Sequence, residues 1–184
     1  IKKVKIIKKK NNKKTFLLMD NGTKTLNKLI SKIIPHLSKS DKFNFYIGIN
    51  SLNKKSKKII AESKNLYPVI GLKGIYSCIK KVDHVIVRGG FNSITECLVF
   101  KKPSIFMTEK FNPEVEANIQ IVKKNKFGSI INTKDWGIGF LKTLEKFLEK
   151  DSKIIKNKLS KLNINCDGAK QIVHDIKKEL KLTR

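Results

Sequence analysis

Short apolar runs alternate along the chain with longer segments in which apolar positions recur three or four residues apart. Six of the short runs are closed by Gly, Pro, Asn, Asp or Lys, and this combination of length and boundary chemistry is typical of buried strands. The runs predict strands at residues 15–19, 43–49, 67–71, 83–88, 103–107 and 129–131.

Amphipathic segments fill the intervals between these runs. Residues 24–38 carry a helical stripe of leucine and isoleucine, and Pro35 is expected to kink or end that helix. Residues 51–65 fit a short helix and a loop equally well. Further helices are predicted at residues 74–81, 92–101, 113–124 and from 136 onward, with a break near 166–168.

Strands that alternate with helices through short connections are typical of a parallel sheet covered on both faces. Because crossovers between parallel strands are right-handed, the sheet should be doubly wound. The sequence therefore predicts an α/β, Rossmann-like doubly wound parallel sheet with helices on both faces and a helical C-terminal tail. We assign residues 15–184 to this one domain. Residues 1–14 are interpreted as a basic linker from a preceding N-terminal domain, since the chain opens with Ile1.

The composition narrows the class of protein. With 40% hydrophobic and 30% charged residues, the chain is too apolar for a disordered segment. We expect neither a membrane-spanning helix nor a signal peptide. Three cysteines lack CxxC spacing and three histidines lie far apart, so neither a disulfide framework nor a metal site is predicted. These features favour a cytoplasmic globular domain.

The net charge of +26 is compatible with an anionic partner, but the types of basic residue are not those of a nucleic-acid reader. Among 41 basic residues only Arg88 and Arg184 are arginine, whereas nucleic-acid readers depend on the bidentate guanidinium. The excess of lysine therefore indicates a compositional bias first and attraction to an anionic membrane surface second. A basic nucleic-acid-binding module is kept as a less favoured hypothesis.

In a doubly wound sheet, ligands bind beyond the carboxyl ends of the strands. The strongest candidate there is the strand that passes through Gly89 and Gly90 into a helix, with Asn92 or Ser93 as the expected cap. Free N–H groups at such a helix start attract phosphate, and Glu96, one turn later, could bond both hydroxyls of a ribose. The same turn also occurs for packing reasons alone. It matches neither GxGxxG nor the Walker pattern.

Three other loops should reach the same edge of the sheet. Residues 20–23 offer glycine and a hydroxyl to a phosphate, residues 71–74 expose backbone that could bond a base, and residues 112–118 open a helix with acidic side chains. A tight turn, a flexible connection and a favourable helix dipole explain these three loops equally well.

The order of these loops carries more information than any one of them. The segment VDHVIVRGGFNSITECLVFKKPSIFMTEKFNPEVEANI follows the pattern aDlvIsRgGa.Ti.Eal..gkP.ilvP, which continues to eQ..NA. With this segment, residues 70–127 resemble the C-terminal, nucleotide-sugar-binding domain of GT-B glycosyltransferases, nearest to the family 28 type of the peptidoglycan GlcNAc transferase. The similarity extends more loosely from residue 20 to the helices after 136.

The resemblance implies a UDP-sugar site. The residues that would bind the nucleotide diphosphate are Gly22, Thr23, Leu72, Arg88, Gly89, Gly90, Phe91, Asn92, Ser93 and Glu96. Within this set the backbone of Leu72 would meet the uracil, and Glu96 would hold the ribose. Glu114 and Asn118 match the part of the pattern that contacts the donor sugar.

The resemblance also implies the rest of the enzyme. It would be an inverting transferase that needs no metal or cofactor and moves a hexose or hexosamine, such as GlcNAc, to an acceptor on a separate N-terminal domain or subunit. That partner would supply the general base, so no catalytic residue is expected in this chain. Acceptors of this family are often lipid-linked, which suits a cytoplasmic protein at the inner face of the membrane.

Three positions depart from the family pattern. Asn112 replaces a histidine, Val115 a glutamine that commonly contacts sugar hydroxyls, and Ile119 the final alanine. Because of the change at Val115, nucleotide-sugar 2-epimerases and UDP-sugar hydrolases with a similar two-domain architecture remain alternative hypotheses. A split-subunit enzyme is an alternative to the favoured interpretation of a fragment.

Overall fold

The computed structural model describes residues 13–19, 24–137, 139–164 and 167–179. Within them one sheet is formed by β1 (Lys14–Leu18), β2 (Phe43–Gly48), β3 (Leu66–Val69), β4 (His84–Arg88), β5 (Ser104–Met107) and β6 (Ser129–Ile131). The strand order is β3-β2-β1-β4-β5-β6, and all neighbours are parallel. The predicted doubly wound α/β sheet is confirmed.

Helices connect these strands and extend beyond the last one. They are α1 (Lys24–Leu37), α2 (Lys54–Glu62), α3 (Gly71–Ile79), α4 (Phe91–Val99), α5 (Pro113–Asn125), α6 (Phe140–Lys146), α7 (Ser152–Ser160) and α8 (Gly168–Glu179). A 3₁₀ turn at Thr133–Asp135 precedes α6, and a π-helical turn at Phe147–Asp151 joins α6 to α7. The predicted helical C-terminal region is confirmed.

Side chains of each strand point alternately to two apolar cores on opposite faces of the sheet. Phe16 and Leu18 of β1 belong to the first core, whereas Leu17 belongs to the second. The first core is completed mainly by α1, α2, α6 and α7. The second core is completed by α3, α4 and α5. The helices that follow β3, β4 and β5 therefore share one face of the sheet.

The ends of three helices were left open or predicted differently, and single residues explain where they lie. The ambiguous segment 51–65 contains α2, because Asn53 caps it by accepting the Ser56 N–H at 2.8 Å and Ile60 is buried in the first core. Pro35 lies inside the last turn of α1, which ends at Leu37. Helix α3 begins at Gly71 rather than at residue 74.

The connections around β1 and β4 create the switch point of the sheet. Helix α1 leads from β1 to β2 on the face of the first core, and α3 returns from β3 to β4 on the face of the second. The two crossovers leave a crevice beyond the carboxyl ends of β1 and β4, where doubly wound sheets bind ligands. The sequence-predicted loops after β3, β4 and β5 lie at this edge.

The opposite edge of the sheet is closed by polar bonds and a buried histidine. Asp83 accepts the N–H and the hydroxyl of Thr15 at 3.0 and 2.8 Å, which joins β1 to the start of β4. The ring of His84 stacks on Phe16 and lies 2.7 Å from the Ser152 hydroxyl. Burial lowers the pKa of His84 from 6.5 to about 4. These contacts stabilise the amino ends of β1 and β4.

In the described part of the chain, no helix has the length and apolarity needed to cross a membrane. The same residues contain no group of three or more His, Cys, Asp or Glu side chains that could hold a metal ion. Burial raises the pKa values of the Cys78 and Cys97 thiols to about 12. Both are therefore protonated at neutral pH. Cys166 lies outside the described residues.

Candidate functional site

Helix α4 starts directly after the two glycines that follow β4. Gly90 is its N-cap, with an extended backbone and no side-chain hydrogen bond to the helix. The carbonyl of Gly90 accepts the Ile94 N–H at 3.0 Å, so Asn92 and Ser93 lie inside the first turn. The expectation that Asn92 or Ser93 caps the helix is therefore wrong, because the chain turns at Gly90. The start of α4 therefore lies at the carboxyl edge of the sheet, directly after Gly90.

Gly89 fixes the position of this helix start by allowing a close approach of α5. A Cβ atom on Gly89 would lie 2.6 Å from Cδ1 and 2.9 Å from Cγ1 of Ile119. Its N–H donates to the carbonyl of Met107 at 3.1 Å, which ties the turn to β5. Glycine is thus required here for packing, and the packing positions the N–H groups of α4.

Arg88 forms an ion pair with Glu109, a residue that the sequence analysis did not select. Its Nε donates to Oε2 of Glu109 at 2.6 Å, and the side chains are 18% and 21% exposed. Asn112 donates to the same oxygen at 3.3 Å. The Nη1 atom of Arg88 lies 3.3 Å from where a Cβ of Gly90 would stand. The guanidinium therefore lies against the glycine turn and is held there by Glu109.

The sequence contained a signal that could have identified Glu109. Arg88 pairs with Met107 in the β4–β5 register, and Glu109 follows Met107 by two residues. A lone arginine and an acidic residue at neighbouring strand ends are therefore close in space. The register was needed to see this pairing, and the register is a property of the sheet.

Glu114 and Asn118, the two positions expected at the donor sugar, lie on α5, and Glu114 reaches the start of α4. Glu114 Oε1 accepts the Phe91 N–H and the Asn118 Nδ2 donor, each at 3.4 Å. The first N–H of α4 is thus already directed at a carboxylate, as the positive end of a helix dipole favours. Glu114, predicted at the donor sugar, is therefore in contact with Phe91, predicted at the phosphates.

Glu96, the residue predicted to hold a ribose, is bonded to α3. The hydroxyl of Tyr76 donates to its Oε1 at 2.9 Å, and this hydrogen bond raises the pKa of Tyr76. Sequence analysis did not select Tyr76. It lies four residues after Leu72, on the same face of α3, and Leu72 is 74% exposed in the first turn. The bond joins α3 to α4, although β3 and β4 are not neighbours in the sheet.

Two further positions of the family pattern do not face this edge. Val115 is fully buried and Ile119 is 2% exposed, both in the second core. Asn112 caps α5 by accepting the Val115 N–H at 3.2 Å. Gly22 and Thr23 lie outside the described residues, so their contact with a phosphate stays a prediction.

A groove of about 480 Å³ has Glu109 in its lining. It runs between the ends of β5 and β6 and the side of α5, and its lining includes Thr108, Asn132, Glu116 and Lys123. Its walls carry both acidic and basic groups. Glu109 therefore borders two spaces, the groove and the glycine turn.

Comparison with known families and proteins supplies the context for this geometry. The family model of the glycosyltransferase family 28 C-terminal domain matches residues 21–180. An uncharacterized glycosyltransferase of Methanosarcina acetivorans is 25% identical over 136 residues, which cover 73% of this chain and 36% of that protein. The chain thus spans about a third of the length of this curated relative.

Solved structures share the fold at low sequence identity. MurG of Acinetobacter baumannii superposes with a TM-score of 0.69 and 16% identity, over 92% of this chain and 51% of that one. The S. aureus MnaA–UDP structure superposes with a TM-score of 0.64 and 14% identity, over 93% of this chain and 47% of that one. The glycosyltransferase VinC in complex with dTDP superposes with a TM-score of 0.59 and 11% identity, over 88% of this chain and 41% of that one.

Proposed function

The chain belongs to the glycosyltransferase family 28 C-terminal domain family, and on that premise we propose that it is the UDP-sugar-binding half of a glycosyltransferase. Family and fold make it a GT-B type C-terminal domain. The enzyme would transfer a hexosamine or hexose, with GlcNAc the first donor to test. The acceptor would be held by a separate N-terminal domain or subunit, because the chain covers only 36% of its curated relative and 51% of MurG.

The observation that carries this proposal is the start of α4 at Gly90, directly after β4 at the switch point of the sheet. A diphosphate placed there would accept hydrogen bonds from the backbone of Phe91, Asn92 and Ser93, and Gly89 and Gly90 allow it to approach. Glu96 lies about one turn further along α4, where it would meet the ribose attached to the diphosphate. The helix start and the carboxylate thus suit the diphosphate and the ribose of a nucleoside diphosphate.

The base would lie at the start of α3. Gly71 has a φ of +66°, which turns the chain from β3 into the helix and leaves the first turn of α3 exposed at the edge. The backbone of Leu72 would donate or accept hydrogen bonds with the edge of the uracil. The exposed Leu72 side chain would cover one face of the base.

The departing UDP would be stabilised without a metal or a cofactor. Negative charge developing on its phosphate is favoured by the dipole of α4 and by the Nη groups of Arg88. Glu109 balances the charge of Arg88, so we assign the larger share to the helix. We place no catalytic residue in this chain, and the general base belongs to the acceptor-binding half.

The test is calorimetric titration of the 184-residue chain with UDP and, for comparison, AMP. We expect UDP to bind more tightly than AMP, and Glu96→Ala to abolish UDP binding. Glu62→Ala is the matched control, since Glu62 is an exposed glutamate on α2. Equal binding of UDP, AMP and a nucleic-acid oligonucleotide, weakening steeply with salt, would instead support the basic nucleic-acid module.

A second candidate function follows from Val115. Because its side chain is buried in the second core, the sugar contact commonly made by glutamine at this position has no counterpart here. A nucleotide-sugar 2-epimerase or UDP-sugar hydrolase would need different contacts with the sugar. Incubation of the complete protein with UDP-GlcNAc distinguishes these activities, because release of UDP or formation of an altered sugar without an acceptor supports them and strict acceptor dependence supports transfer.

The proposed partners are the UDP-sugar, the acceptor-binding half and an anionic membrane surface at the cytoplasmic face. The net charge of +26 supports the last of these. Co-sedimentation with vesicles that contain anionic lipid, compared with neutral vesicles, tests it. Equal recovery with both kinds of vesicle would contradict the membrane assignment and leave the nucleotide site unaffected.

A further inference from the structure

The two helices that border the proposed nucleotide are joined by the hydrogen bond from the Tyr76 hydroxyl to Oε1 of Glu96, 2.9 Å long. We propose that Tyr76 is a positioning residue for nucleotide recognition, which holds one oxygen of Glu96 so that the other meets the ribose hydroxyls. This inference rests on the proposed function, because it requires that Glu96 binds a ribose.

A glutamate at this place needs an anchor to act as a hydrogen-bond acceptor of fixed geometry. Its side chain has three rotatable bonds, and fixing them has an entropic cost. The chain carries 41 basic residues against 15 acidic ones, so an unanchored carboxylate meets many competing ammonium groups. The Tyr76 hydroxyl occupies Oε1 and selects one orientation of the carboxylate before any ligand arrives.

Tyr76 is itself held in place. Its ring lies 6.3 Å from the ring of Phe100, measured between centroids, at the end of α4. The neighbouring residues Cys78 and Ile79 anchor the end of α3 in the second core. A tyrosine has only two side-chain torsions, so this contact restricts the positions that the hydroxyl can take. Because the phenol remains protonated at neutral pH, it is a permanent donor to Glu96.

The same bond sets α3 in register with α4. Leu72, whose backbone is proposed to meet the base, lies one helical turn before Tyr76 on the same face of α3. Glu96, proposed to meet the ribose, lies at the other end of the bond. Base and ribose contacts are therefore coupled through Tyr76. The coupling should show as selectivity for a ribose over a 2′-deoxyribose.

The experiment compares the binding of UDP and 2′-deoxy-UDP to the 184-residue chain by calorimetry. In Tyr76→Phe the ring and its contact with Phe100 remain, and only the hydroxyl is lost. We expect UDP affinity to fall about five- to tenfold, since a hydrogen bond to a charged group is lost. The affinity for 2′-deoxy-UDP should change less than about twofold, because that ligand makes fewer of the contacts that Tyr76 orients.

Tyr67→Phe is the matched control. The hydroxyl of Tyr67 donates to the carbonyl of Lys64 at 2.9 Å, away from Glu96, so its loss should leave both affinities unchanged. Thermal unfolding of each variant shows that the fold is retained, as expected for a side chain that is 43% exposed.

Two results would overturn the inference while the proposed function stands. One is UDP binding by Tyr76→Phe within twofold of the unsubstituted chain when Glu96→Ala abolishes it. The other is an equal loss of affinity for UDP and 2′-deoxy-UDP, which indicates a purely structural role. Failure of the unsubstituted chain to bind UDP would overturn the proposed function and this inference together.

Discussion

Arg88 and Glu109 join the carboxyl ends of two neighbouring strands through an Nε–Oε2 contact of 2.6 Å. Lys42 and Glu145 make a contact of the same length on the surface, where the lysine is 67% exposed. The two pairs differ in burial, because the side chains of the first are only 18% and 21% exposed. Solvent screens the surface pair, so its geometry says little about its contribution to stability.

Glu109→Gln should therefore destabilise the protein, because it leaves a largely buried guanidinium without its anion. We expect the free energy of unfolding in urea to fall by about 1–3 kcal/mol. Glu145→Gln removes the charge from the surface pair and should leave the unfolding midpoint unchanged. A similar shift in both variants would show that burial does not distinguish the pairs.

Gly89→Ala should damage stability and nucleotide binding together. The added methyl group would lie 2.6 Å from Cδ1 and 2.9 Å from Cγ1 of Ile119, so the Ile119 side chain, α5 or the glycine turn must shift. We expect a loss of roughly 1–3 kcal/mol in the free energy of unfolding and a clear loss of UDP affinity.

Ile119→Val provides the internal check on this clash, because it deletes the Cδ1 atom. Added to Gly89→Ala, it should restore part of the lost stability and affinity. Gly137→Ala is the control for alanine itself, since a Cβ there meets nothing within 4 Å. No rescue by Ile119→Val would show that the close approach of α5 is not the cause.

Glu114→Gln should strengthen UDP binding. The carboxylate lies 3.4 Å from the first N–H of α4, where the diphosphate is proposed to bind, and it repels phosphate. Removal of this charge should raise the UDP affinity about three- to tenfold at low salt and less at high salt. UDP-GlcNAc should gain less than UDP, because Glu114 is proposed to contact the sugar.

Glu116→Gln serves as the control for the Glu114 prediction. It removes the same charge from an exposed position on α5, two residues away, where the side chain points to a different side of the helix. An equal gain of UDP affinity in both variants would indicate a general charge effect. The titrations are calorimetric and use two salt concentrations.

His84 should make the protein less stable as the pH falls from about 6.5 to about 4. Burial lowers its pKa to about 4, while Asp83 opposes that shift and Lys14, Lys102 and Lys156 add to it. Between the two pKa values the unfolded chain binds a proton that the folded protein refuses, so acid favours unfolding. The span from 6.5 to about 4 corresponds to an upper limit of roughly 3 kcal/mol.

His84→Gln isolates this contribution, because glutamine does not titrate and can still bond the Ser152 hydroxyl. Urea unfolding at several pH values should show a smaller loss of stability between pH 6.5 and pH 4 in the variant than in the unsubstituted protein. Above pH 6.5 the two curves should run parallel. Parallel curves over the whole range would show that folding leaves the pKa of His84 unchanged.

Much of the fold could be predicted because it depends on patterns within single segments. The buried strands and the stripe on α1 are visible from neighbouring residues, and the glycines after β4 mark a helix start. The start of α3 was predicted three residues late, because it depends on one backbone torsion at Gly71. The cap of α4 was misassigned because Asn92 and Ser93 have suitable side chains, whereas Gly90 makes the turn.

The missed residues depend on the arrangement of elements. Tyr76 and Glu96 are 20 positions apart, and Arg88 and Glu109 are 21 apart. Their contacts exist because α3 crosses back over the sheet to lie beside α4 and because β4 pairs with β5. No local pattern encodes either arrangement, so a site assembled from several loops is only partly visible before the register is known.

The division of the helices between two cores gives the molecule two separate routes of sequence change. The first core lies mainly under α1, α2, α6 and α7, and Leu98 of α4 also packs against it. Substitutions among its residues on α2, α6 and α7 can change thermal stability with little effect on ligand selectivity. The second core supports α3, α4 and α5. Substitutions there can shift those helix starts, so adaptation to a new donor can arise from residues that never touch it.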